Sequence, residues 1–148
     1  MSQLAGARSP LSAVFLLHIA LEAPVAIQGL WAGQNLPFLD MNNTSLVLLK
    51  LYAALLLASC VASLLVFSLP EFLPGKRAFA MALLLYHSIA TTILLSTVRF
   101  IPFSFGPLAE QAKLTPEMVW GALHGALGLA LTVWWQMTLG YARMIKQE

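Results

Sequence analysis

The chain has 148 residues, of which 59% are AVILMFWYC and 9% are charged, eight Lys and Arg against six Asp and Glu. A soluble domain carries roughly 25% charged residues, so this chain lacks the polar surface of a water-exposed globule, and its mean hydropathy of +0.81 excludes disorder. The lone Cys60 excludes a disulfide framework, and a net charge of +2 scattered along the whole length argues against nucleic-acid binding.

The charged residues themselves divide the chain. A helix crosses a bilayer core in about 20 apolar residues. Lys50 and Glu71 bracket 20 uncharged residues, Arg77 and Arg99 bracket 21, and Glu117 and Arg143 bracket 25. A further apolar run begins at Pro10. The expected fold is therefore all-α: a single membrane domain, an antiparallel four-helix bundle with spans near 10–33, 46–69, 78–99 and 116–142.

Span one starts with a capping hydroxyl before proline, Ser9-Pro10. His18 and Glu22 interrupt its apolar run and Ala23 is followed by Pro24, so a retained helix is expected rather than a cleaved signal peptide. Because Pro24 has no N–H, the carbonyl of Ala20 is left free beside Glu22. Residues 34–43, with Pro37 and three asparagines, read as a loop. Asn42-Asn43-Thr44-Ser45 holds two overlapping glycosylation sequons. They press against span two, and the unmodified form is expected.

Span two carries Ala54, Ala58 and Ala62 at small-xxx-small spacing, with Ser59 and Ser63 beside them. Tyr52 reads as an interface anchor, as do Trp31 and Trp120. Pro70, Pro74 and Gly75 make a short stop before span three, which ends at Arg99, a residue expected to snorkel to the interface. Residues 100–114 read as the third loop. Span four opens with Thr115-Pro116-Glu117, the acid lying where the helix dipole favours it. Its stripe of Gly121, Gly125, Gly128, Thr132, Gln136 and Gly140 is expected to pack helices closely. Trp134 and Trp135 lie deeper than an aromatic belt.

Orientation follows from basic residues at the span ends. Arg8, Lys76, Arg77, Arg143 and Lys146 fall on one side, against Lys50, Arg99 and Lys113 on the other. Both termini are expected in the cytosol. Lys146 is half of a dilysine retrieval signal, which points to the endoplasmic reticulum or another endomembrane.

Four ionisable residues lie within spans: His18, Glu22, His87 and His124. Such residues are costly in a bilayer and usually face the bundle interior, pair, or line a path. His18 and Glu22 are one turn apart on one face. A rise of 1.5 Å per residue puts Glu22 near the midplane and the three histidines within about 7 Å of it, so all four are expected to meet. Glu22, His18 and His87 are the candidate catalytic residues. His124, Tyr86, Thr91 and Gln136 are the candidate ligand-binding residues. Three His and a Glu are chemically able to hold zinc, iron or haem. HxxxE defines no metal family, however, so no metal ligand is assigned and the cofactor is left open. No phosphate loop or nucleophile elbow is present.

Two functions fit. The first is an intramembrane polar pocket for a small hydrophobic molecule of sterol, lipid or isoprenoid class, with proton-transfer chemistry as an extension. The second is a non-enzymatic accessory or assembly subunit that docks on a membrane-protein partner, or on its own copy, through the small-residue stripes.

Overall fold

The computed structural model describes residues 9–36 and 42–140. Among these every regular element is helical: α1 Ala13–Trp31, α2 Asn43–Phe67, α3 Pro74–Ser96, the short α4 Pro107–Gln111, and α5 Pro116–Met137. One turn of 3-10 helix, Pro10–Ser12, leads into α1, and another, Gly33–Asn35, follows it. Four of these helices are long and apolar enough to cross a membrane. Arg8, Pro37, Arg143 and Lys146 lie outside the described residues.

The helix starts follow the residues read for them. Ser9 Oγ accepts from the Leu11 N–H and Thr115 Oγ1 from the Met118 N–H. Asn42, the first sequon asparagine, caps α2 by accepting from the Ser45 N–H at 2.8 Å. Each cap satisfies a donor that the first helical turn leaves unpaired.

α1 packs on α2, α3 packs on α5, and α1 also touches α5. Glycine permits the closest approaches. A Cβ on Gly29 would lie 2.9 Å from Ala53 Cβ, and one on Gly121 3.1 Å from Leu94 Cβ. Backbones this near gain dispersion contacts that lipid tails do not offer. Beyond Gly128, the stripe of α5 leaves the interface. Thr132 and Gln136 are exposed, and a Cβ on Gly140 would meet nothing within 4 Å. In α2 the contact face is Ala53, Leu56, Cys60 and Ser63, whereas Ala54 and Ala58 point outward. The alanine stripe expected to pack α2 is thus displaced by one residue, with Ala53 and Leu49 lying against Gly29.

Much of the outer surface is apolar: Leu55, Leu65, Leu85, Leu129 and Ile93 are all exposed. Polar groups are instead drawn inward. Near the start of α1, Ser12 Oγ donates to Glu71 Oε1 at 2.6 Å, and the Ser9 N–H reaches the same oxygen at 2.9 Å. Lys76 Nζ pairs with Glu71 Oε2 at 3.2 Å and donates to Ser12 Oγ and the Leu69 carbonyl. Beside this lies the main apolar cluster, with Phe15, Leu83, Leu131 and Trp134. Trp134 is fully buried, its ring edge-on to Phe15 at 5.4 Å. Arg77 donates to Thr138 Oγ1 at 3.0 Å, and its guanidinium lies 3.9 Å from the Trp135 ring centroid. Lys76 and Arg77 therefore do more than flank a span, since both are buried in internal contacts.

At the opposite end, Glu117 Oε1 accepts from the Phe100 and Ile101 N–H groups and ties the loop down. Arg99 reaches into that loop to pair with Glu110 at 3.0 Å and to donate to the Phe103 carbonyl at 2.9 Å.

Candidate functional site

Between the two polar ends, the middle layer gathers groups from all four long helices. α1 brings His18 and Glu22 to one face because they are one turn apart. α3 brings Tyr86 and His87, α5 brings His124, and α2 adds Tyr52 and Ser59. His18, Glu22 and His87 are fully buried, and His124 nearly so.

The hydrogen bonds form a directed chain. Ser59 Oγ donates to the Leu56 carbonyl at 2.7 Å, which uses its only proton. It therefore accepts from His18 Nε2–H at 3.0 Å. A neutral His18 then presents a lone pair at Nδ1, which accepts from His87 Nε2–H at 3.0 Å. His87 in turn is left with a lone pair at Nδ1, 2.8 Å from His124 Nδ1. Each neutral imidazole has one donor and one acceptor nitrogen, so a single serine proton fixes two tautomers in succession.

Glu22 enters from the other side. Its Oε1 accepts from Tyr86 OH at 3.2 Å and lies 3.4 Å from His124 Nδ1 and 3.9 Å from His87 Nδ1. Tyr86 OH, having donated to Glu22, accepts from Tyr52 OH at 2.7 Å. Among the described residues, Glu22 Oε2 has no hydrogen-bond partner. His18, Glu22 and His87 each offer a ligand atom within 4.8 Å of the others.

Apolar clefts adjoin this cluster. One of about 340 Å³ is lined by Val25, Leu49, Tyr52, Val119, Trp120 and Leu123, among others. Another, about 220 Å³, has Tyr52, Tyr86, Trp120 and His124 in its wall. A third, about 290 Å³, touches Tyr52, Ser59 and Tyr86. Tyr52 borders all three, Tyr86 borders the second and third, and Tyr86 OH is the hydroxyl that donates to Glu22.

The residues expected to converge, His18, Glu22, His87 and His124, do so, and Tyr86 joins them. Thr91 does not: its Oγ1 donates to the His87 carbonyl at 2.7 Å, along its own helix. Gln136 is exposed, three turns from His124, and outside the cluster. Ser88 and Thr92 likewise bond to carbonyls of their own helix. Tyr52 and Ser59 were not among the expected site residues. They are seven apart on α2, a two-turn spacing that puts both on one face, and that spacing was the available signal. Comparison with protein-family models, curated proteins and solved structures gave no match, so the chemistry of these side chains alone carries the functional reading.

Proposed function

We propose that the chain is a multi-pass membrane protein, an antiparallel bundle with both termini cytosolic, that binds a small hydrophobic molecule at the buried His/Glu cluster. The observation that carries this reading is Glu22. It is fully buried in the middle of an apolar helix, and among the described residues it has neither a Lys or Arg partner nor a backbone N–H. A carboxyl group in such a place is costly. The clefts beside Tyr52 and Tyr86 supply an apolar site for the body of a sterol, lipid or isoprenoid. Rotation of Tyr86 would bring the polar end of that molecule to Glu22 and His124. The chain His124–His87–His18–Ser59 offers a route along which a proton can be redistributed.

The test is Glu22→Gln. Glutamine keeps the size and hydrogen-bonding capacity of the side chain and removes its acidity. The variant is expected to fold with wild-type yield and melting temperature but to lose the hydrophobic molecule that co-purifies with wild type, as identified by mass spectrometry of the extracted protein. A well-folded variant that retains the same bound molecule at the same occupancy would refute the pocket.

One observation favours the second reading, an accessory subunit. The outward-facing Ala54 and Ala58 of α2 leave a shallow small-residue strip against which a partner helix would pack. On that reading Glu22→Gln is silent, and Ala54→Leu with Ala58→Leu abolishes co-purification of the partner.

A further inference from the structure

We infer that His87 Nδ1, His124 Nδ1 and Glu22 Oε1 form a binding site for a divalent first-row metal ion, zinc by preference, with His18 as the residue that positions His87. The inference rests on the reading of this cluster as a functional pocket and adds what the pocket holds.

The geometry is the first argument. The three atoms are separated by 2.8, 3.4 and 3.9 Å. Zinc holds imidazole nitrogen and carboxylate oxygen at about 2.0–2.1 Å in a tetrahedron, which places neighbouring ligand atoms about 3.3–3.4 Å apart. The observed triangle brackets that edge. Shifts of about half an ångström, within side-chain rotation, would make it regular.

Protonation is the second. A metal ligand must present a lone pair. The chain of donors from Ser59 through His18 leaves the His87 lone pair on Nδ1, facing Glu22 and His124. His124 contributes its own Nδ1 lone pair by holding its proton on Nε2, a tautomer change that releases nothing. Metal-bound histidines usually donate their other ring N–H to a fixed acceptor. His87 does this already, to His18 Nδ1 at 3.0 Å.

Charge is the third. Two neutral imidazoles and one carboxylate leave a divalent ion with a net charge of +1 in an apolar interior. Zinc sites that do chemistry keep three protein ligands and an open fourth position. His124 and Tyr86 line the cleft of about 220 Å³, so the open position faces it. The residual positive charge then selects an apolar molecule with an anionic oxygen donor, a carboxylate before an alcohol.

The test uses the full chain in detergent, stripped with chelator and titrated with Co²⁺ and then Zn²⁺. One Co²⁺ per chain, with the strong visible absorption of a four-coordinate site that one equivalent of Zn²⁺ removes, is the expected result. His124→Ala and Glu22→Gln are expected to lose that spectrum. His18→Ala should retain it with affinity weakened about 10- to 100-fold. Glu110→Gln, far along the chain in the α4 segment, should bind as wild type. Absence of one-to-one cobalt binding by the folded wild-type chain overturns the proposal, and so does an unchanged spectrum in folded His124→Ala. Should the variants not fold, X-ray absorption of the zinc-loaded wild type decides: two imidazoles in the first shell support the site, and fewer refute it. Lipid analysis of the same preparations separates the two readings. Metal without a bound apolar molecule removes the pocket and leaves the metal site, and the reverse result removes only the metal.

Discussion

The buried pair at the start of α1 allows a worked estimate of what internal charge contributes here. Lys76 and Glu71 are both shielded from solvent, 3.2 Å apart. Removing one member of a buried pair typically costs about 3–5 kcal/mol, because the other charge is left uncompensated. Lys76→Met is the appropriate change. It keeps the unbranched stem that lies against Phe15 and Trp134, whose ring centroids are 5.4 and 5.8 Å from Nζ, and it removes the charge. Glu71 would retain Ser12 Oγ and the Ser9 N–H, which places the expected loss at the lower end, about 3 kcal/mol. Glu71→Gln should cost a similar amount, because it removes the carboxylate charge that faces the buried Lys76 ammonium. The double variant should recover part of this loss, with a coupling energy of about 1–3 kcal/mol. Unfolding in mixed micelles, followed by helical circular dichroism, measures all four proteins. A Lys76→Met variant within about 0.5 kcal/mol of wild type, the range of an ordinary surface substitution, would refute the argument that this pair is held away from solvent.

Two further outcomes follow from other parts of the fold. Gly29→Ala places a methyl 2.9 Å from Ala53 Cβ, which cannot rotate away. It should therefore push α1 from α2 and cost about 1–3 kcal/mol, whereas Gly140→Ala should be neutral; equal melting temperatures for the two would show that the close approach is not required. Hydrogen bonds from Ser104 and Arg99 hold the Glu110 carboxyl below its usual range. A lowered carboxylate pKa stabilises the loop above the unfolded-state value and loses that contribution as pH falls through the folded one. Protection factors of the amides in residues 101–112, corrected for the intrinsic pH dependence of exchange, should thus fall on acidification, and Glu110→Gln should remove that fall. An acid-induced change that persists in that variant would locate the titrating group elsewhere.

The four long apolar helices were legible because charge is excluded from about 20 residues at a time in a helix suited to cross a bilayer, and that rule needs no tertiary information. The meeting of His18, Glu22, His87 and His124 was legible for the same reason, since depth along each helix follows from its rise. What depth does not supply is rotation about the helix axis. Gln136 falls outside the site because α5 turns that stretch outward, and α2 presents Ala53 instead of Ala54 to the close approach at Gly29. Lys76 read as a flanking charge because its acceptors, Ser12 and Glu71, declare themselves only when α1 and the turn before α3 come together. Tyr52 read as an interface anchor for a related reason. α2 begins at Asn43, several residues before the start expected for it, so the ring sits deeper than its position in an expected span implied.

Three buried carboxyl groups lie in the described residues, and the way each is compensated separates structure from chemistry. Glu71 has an ammonium, a hydroxyl and a backbone N–H. Glu117 accepts from the N–H groups of Phe100 and Ile101 and so fixes the entry to the third loop. Its second oxygen, like that of Glu22, has no hydrogen-bond partner among the described residues, but its charge lies in the first turn of α5, where the helix dipole favours it. Glu22 has neither arrangement. It sits ten residues into α1, far from either helix end, and among the described residues its Oε1 faces the Tyr86 phenol and the His87 and His124 imidazoles, not a cation or a backbone N–H. Removing the acid at position 71 or 117 would loosen an identifiable tie between segments. No such tie depends on the charge of Glu22, because Tyr86 would donate equally well to a glutamine oxygen. A structural role alone therefore leaves the acidity of Glu22 unused, and the groups able to use it, His87 and His124, stand within 4 Å of its oxygen.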